Sequence, residues 1–228
     1  MKLIVYLAIF LISQNSLAQA PVSQKQAKGT VKFVFRNLIN GRPVVLYDST
    51  YSNPFDESFQ LNKLKYYISN ISASDGRKSP FIKDNYHLIN QQLESSLSFS
   101  IHIPSGKYES IHFLLGVDSA ANESGAQTGA LDPLNDMFWT WQSGYVMFKL
   151  EGTSTQSTVV NNKIEYHLGG YKGVNSVLGT VSLPVSLHIV DGKTTTVIIN
   201  ADIDKFWNAI TPLKIADTAL CNSPGELA

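Results

Sequence analysis

Along most of the chain apolar and polar residues alternate one for one, the period of a strand with one covered face. In TVKFVFRNL (30–38), Val31, Phe33 and Phe35 fall on one side and Lys32 and Arg36 on the other, and the Asn-Gly-Arg that follows is a turn signal. YYISNISA (66–73) is a second strand, closed by Asp75-Gly76. YHLINQQL, LSFSIHI and YESIHFLLGV follow, the last two joined by Pro104-Ser105-Gly106. GYVMFKLEG, KIEYHLGG, VLGTVSLPV, SLHIV and TTTVIINADI complete the series, with Asp191-Gly192 as a hairpin dipeptide between the last two. Short strands at this spacing predict an all-β fold, an antiparallel β-sandwich of about eight to ten strands.

Two segments break the alternation. DSAANESGAQTGALDPLND (118–136) predicts one long loop, a length that in a compact domain is usually functional or disordered. The C-terminal FWNAITPLKIADTALCNSPGELA is the only region with a helical pattern and predicts a short helical segment. No internal repeat or linker divides the chain, so residues 21–228 read as a single domain, its first few residues a leader before the first strand.

Residues 1–20, MKLIVYLAIFLISQNSLAQA, combine a lysine, an apolar run too short to cross a bilayer and a small-residue Ala-Gln-Ala end. That is the pattern of a cleaved signal peptide, and the expected location is periplasmic or secreted. Charged residues are only 16% of the chain, with 18 basic against 18 acidic, so nothing marks a nucleic-acid or membrane-lipid face. The single cysteine, Cys221, leaves no disulfide within the chain and no thiolate pair for zinc or iron–sulfur chemistry. No G-x-S-x-G elbow, H-E-x-x-H or phosphate-cradling glycine loop is present, and the expectation is a binding protein, not an enzyme.

The densest chemistry lies in LDPLNDMFWTWQSGYVMFKLEG (131–152), with two tryptophans and two methionines. As a strand, it places Met137, Trp139 and Trp141 on one side and Phe138 on the other, and core filling is the plain explanation. An intact indole offers a metal only an N–H, so a tryptophan ligates only after oxidative ring opening to kynurenine frees its amine. In KIEYHLGG, Ile164, Tyr166 and Leu168 form the apolar face, while Lys163, Glu165 and His167 point the other way. His167 then sits at a strand end beside two glycines, where another group can approach closely. His102 and His112 flank the Pro104-Ser105-Gly106 turn and could meet across it. Asp118, Asn122, Glu123, Asp132, Asn135 and Asp136 supply oxygens for a calcium alternative, though not at EF-hand spacing. The paired tryptophans would also suit a stacking platform for a sugar or another flat ligand.

IHFLLGVD, the W-x-W-x-x-G-Y element and H-L-G, in that order and after YYISNI, resemble the MbnP-like proteins, a family of methanobactin-associated and methanotroph surface copper proteins. The resemblance covers most of the mature chain. It implies an exported sandwich that holds copper through histidine and a kynurenine made by a partner di-haem protein of the cytochrome c peroxidase type. On this chain it points to His167 and to Trp139 or Trp141. No histidine lies between His112 and His167, so His102, His112 or Met147 is expected to supply a further ligand to Cu(I). A calcium-stabilised or metal-free binding module of the cell envelope is the alternative.

Overall fold

The computed structural model describes residues 27–76, 86–140, 143–209 and 211–222. Residues 21–26 of the expected leader (21–28), the signal-peptide pattern and Trp141 lie outside these residues, and Lys28, expected in the leader, opens the first strand instead. In chain order the strands are β1 (Lys28–Ile39), β2 (Arg42–Pro43), β3 (Thr50–Ser52), β4 (Ser58–Ser74), β5 (His87–Asn90), β6 (Ser98–Pro104) and β7 (Gly106–Leu115). After helix α1 (Ser119–Glu123) come β8 (Phe138–Thr140), β9 (Gly144–Thr153), β10 (Lys163–Gly169), β11 (Gly179–Ile189) and β12 (Thr194–Asp202). Helix α2 (Asp204–Trp207) and β13 (Leu220–Cys221) close the series.

Two sheets face each other, as the alternation predicts. The smaller has four strands in the order β12-β1-β2, with β6 also on β1. The larger has nine, ordered β11-β7-β4-β9-β10-β13, with β3 and β5 also on β4 and β8 on β9. Between them lies the main core: Phe33 and Phe35 from β1, Tyr66 and Ile68 from β4, Ile111 and Phe113 from β7, Leu150, Ile164 and Tyr166 from β9 and β10. Trp207 of α2 plugs one end, fully buried against Phe59, Tyr166 and Phe206. Asn37, the one polar residue in the inward series of β1, accepts from the Tyr66 hydroxyl at 2.6 Å and donates to Gln91 at 2.8 Å, which satisfies both ends of its amide.

The all-β sandwich is what the alternation predicts, but its connections differ in three places. The pairings β1–β12 and β10–β13 are parallel, so the sheets are mixed. Asp191-Gly192 does make a turn, with Gly192 at φ +66°, yet β11 pairs with β7 and β12 with β1. The chain crosses from one sheet to the other there instead of folding back on itself. The same holds at Pro104-Ser105-Gly106, since β6 pairs with β1 and β7 with β4 and β11. By contrast Asn40 (φ 50°) and Gly41 (φ +69°) form a true hairpin turn between β1 and β2. VLGTVSLPV and SLHIV merge into the single strand β11; Pro184 is tolerated because β11 is an edge, with a register shift beside it.

Segment 118–136 has structure of its own. It forms α1 and two single 3-10 turns that fold over the outer face of the large sheet. Under it lies a second apolar cluster of Tyr67, Val117, Leu131, Met137, Tyr145 and Met147, with Phe138 and Trp139 packed against it. The outer face of the large sheet is therefore covered at this end.

Candidate metal centre on the covered face

Strand register sets out a grid of side chains on that face. Lys63 of β4 pairs with Glu151 of β9, which pairs with Glu165 of β10. In the next row Lys65 pairs with Lys149, and Lys149 with His167. All six point away from the main core, because their neighbours Leu64, Tyr66, Leu150, Ile164 and Tyr166 point into it. Asp136, in a left-handed conformation (φ 61°) at the end of the second 3-10 turn, lowers its carboxylate onto the lysines. It lies 2.8 Å from Lys63, 3.0 Å from Lys149 and 3.9 Å from Lys65. Lys65 also donates to the Asn135 carbonyl at 2.9 Å. Burial opposes ionisation of Asp136, but the hydrogen bonds and charges of Lys63 and Lys149 outweigh it and hold its pKa at about 2. The pKa of Lys65 is lowered, chiefly by burial.

Beside this cap lies a tighter cluster. His167 Nε2 is 2.8 Å from Glu151 Oε1 and 3.4 Å from Glu165 Oε1. One donor atom from each of the three residues falls within 4.8 Å of the others. Glu165 and His167 are 9% and 8% exposed, so these two positions on the polar face of β10 are covered, while Lys163 at its start stays exposed. Two carboxylates opposite each other on adjacent strands repel; Lys63, 3.2 Å from Glu151, and Lys163, paired with Glu165, offset this. Burial pushes the Glu151 carboxyl up, while the His167 hydrogen bond and Lys63 pull harder the other way and leave it at about 2. An ionised carboxylate only accepts, so the imidazole donates from Nε2 and its Nδ1 keeps a lone pair when the ring is neutral.

Trp139 is the next group along this face. Gly169 lies two residues beyond His167 on the same side of β10, about 7 Å along the strand. A Cβ at Gly169 would overlap Cζ3 of Trp139 and sit 2.9 Å from its Cη2 and from the Tyr145 carbonyl oxygen. The indole edge therefore rests on the glycine, which explains the residue beside the histidine. Its Nε1 is buried with no hydrogen-bond partner among the described residues. The strand parity expected for this segment fails at Phe138, whose ring meets Tyr145 edge-on at 4.8 Å in the same cluster as Met137. The cause is the irregular register of β8 on β9.

The other sequence candidates are placed elsewhere. His112 stands on the outer face of the large sheet opposite Ser72, with its Nε2 at 2.8 Å from the Ser110 hydroxyl. Ser72 lies seven residues along β4 from Lys65, the row of His167, and three strand spacings separate β7 from β10, so the two imidazoles are more than about 20 Å apart. His102 is exposed on the outside of the small sheet, 3.2 Å from the Thr30 hydroxyl. It cannot meet His112, because β6 and β7 belong to opposite sheets. The Met147 sulfur accepts the Val117 N–H at 3.2 Å. The calcium oxygens are dispersed: Asp118 caps α1 and binds Asn70 and Tyr86, Asn122 and Asn135 tie loop backbone, Glu123 pairs with Lys172, and Asp132 caps a 3-10 turn. No calcium cage forms from them. Trp139, engaged on Gly169 and the second cluster, is not an open stacking platform. Glu151 and Glu165 were not among the sequence candidates. Glu165 shared the parity of His167, but the arrival of Glu151 depends on pairing between distant segments.

This is an all-β sandwich with a largely buried carboxylate–imidazole cluster on the outer face of its larger sheet. The MbnP family model matches residues 28–223, and the chain belongs to that family. No curated protein matches the chain. Among solved structures, MbnP from Methylosinus trichosporium is similar at 14% identity and a TM-score of 0.49, over 72% of this chain and 73% of that one. Among the described residues no helix is long and apolar enough to cross a membrane.

Proposed function

We propose that this chain is an exported copper-handling protein, without catalytic activity of its own, and that its metal-holding residues centre on His167. The observation that carries the reading is the shared face: the imidazole and two carboxylates offer ligand atoms within 4.8 Å of one another, and the benzo edge of Trp139 rests on Gly169, two residues beyond His167 on the same strand. His167 would ligate through a ring nitrogen, Glu151 and Glu165 would supply oxygens, and Trp139, once opened to kynurenine by a di-haem peroxidase partner, would add an aromatic amine. Nitrogen and carboxylate donors suit divalent copper better than Cu(I), which prefers thioether and thiolate. Copper bound there could polarise or exchange electrons with a small ligand; the chain itself orients the donors and excludes water. Lys63 and Lys163, which now balance the two glutamates, would have to swing away as the cation arrives.

A metal-free cell-envelope module is the competing reading, and the closed Lys63–Glu151–His167 chain favours it, since every charge there already has a partner. Intact-mass and peptide analysis of the chain produced together with a di-haem peroxidase separates the two. The proposal expects the mass of one kynurenine in the peptide spanning Trp139 and Trp141, with copper retained. Unmodified tryptophans and no copper would leave the metal-free module.

A further inference from the structure

The two sheets do not close on each other along their whole length. β11 and β12 are joined at the Asp191-Gly192 turn, one at the edge of each sheet, and they splay apart away from it. Near the turn Ile189 is buried at 1% exposure, but Val181 and Leu183, on the core-facing side of β11, are only half-buried, and Leu115 beside them is 40% exposed. Between the splayed ends is a cleft of about 440 Å³. One wall is aromatic and rigid: Tyr66, anchored through its hydroxyl on Asn37, stands 6.4 Å from Phe148, which stacks on Phe206 at 5.1 Å. The opposite wall is aliphatic, from Val181 and Leu183 of β11 and Ile199 and Ala201 of β12.

The polar groups are confined to the rim. Asn200, Asp202 and Lys205 lie there. Asp202 is already engaged, its Oδ1 accepting the Asp204 N–H at 3.1 Å. Lys205 is exposed and has no ion pair or hydrogen bond among the described residues. A preformed apolar cavity of this size with a few polar groups at its mouth is the general form of a small-molecule site.

We propose that the cleft between β11 and β12 binds a single-chain amphiphile carrying a carboxylate, its hydrocarbon tail between the aromatic and aliphatic walls and its head at Lys205. The assignment does not depend on copper at His167, because the cleft opens between the sheets and the metal cluster lies on the outer face of the larger one. Calorimetric titration of the purified chain with sodium decanoate, decanol and decyltrimethylammonium tests it. Decanoate should bind saturably at one equivalent, more tightly than the cationic chain. Lys205→Glu should weaken decanoate on the order of tenfold and leave decanol unchanged. Ala201→Phe, or Leu183→Phe should the first fail to fold, should fill the cleft and abolish binding of all three while near-ultraviolet circular dichroism is retained. Absence of saturable decanoate binding by the unmodified chain overturns the proposal. So do binding that survives the cavity-filling variants, a preference for the cationic chain, and indifference of decanoate to Lys205→Glu.

Discussion

Gly169→Ala probes the contact on which the site is built. The new methyl would overlap Cζ3 of Trp139 and press at 2.9 Å on Cη2 and on the Tyr145 carbonyl oxygen. The indole can rotate away, but the carbonyl belongs to β9 and cannot move without disturbing the ladder. Overpacking of this kind costs about 1–3 kcal/mol. Loss of glycine's freedom in the unfolded chain returns about 0.4–1 kcal/mol. The clash dominates, and the net loss should be about 1–2 kcal/mol, or about 2–8 °C in Tm for a domain of this size. Gly179→Ala is the internal control: nothing lies within 4 Å of its added carbon, so it should be neutral or slightly stabilising. Urea unfolding supplies the free energies, and near-ultraviolet circular dichroism reports whether the tryptophan has turned. Equal stability of the two variants, with the tryptophan signal intact in both, would refute the placement of Trp139 on Gly169.

Two further outcomes follow from the same geometry. Glu151 has a folded pKa of about 2, below the ordinary carboxylate value near 4.3, so its ionised form stabilises the fold above that value and the contribution fades as pH falls towards 2. That contribution is at most about 3 kcal/mol, and Glu151→Gln should flatten the acid limb of the stability–pH curve, measured by denaturant titration at each pH; an unchanged limb would argue against the His167 and Lys63 contacts. Trp207→Ala removes a fully buried ring held among Phe59, Tyr166 and Phe206 and should cost about 3–5 kcal/mol; a loss under about 1 kcal/mol would mean that this end of the sandwich is not packed as described.

The strands were legible because one-sided burial writes itself into alternation: Ile164, Tyr166 and Leu168 enter the core and Glu165 and His167 do not. Their sheet partners were not, since Asp191-Gly192 looks the same whether its strands pair or part into opposite sheets. A sequence does not show that segment 118–136 folds back over the outer face of the large sheet and brings Asp136 onto three lysines of β4 and β9. His167 carried a local signal, the two glycines beyond it. Glu151 carried none, as its meeting with His167 rests on the register of β9 against β10. The meeting of His102 and His112 that the turn left open does not occur for the same reason, since alternation gives the face of a strand but not its sheet.

The most direct test of the central claim is electron paramagnetic resonance of the chain titrated with Cu(II). One equivalent should bind with nitrogen hyperfine structure, and His167→Ala should abolish both the splitting and tight binding while the fold is retained. Copper held with unchanged affinity and an unchanged spectrum in His167→Ala would contradict a metal centre on this face.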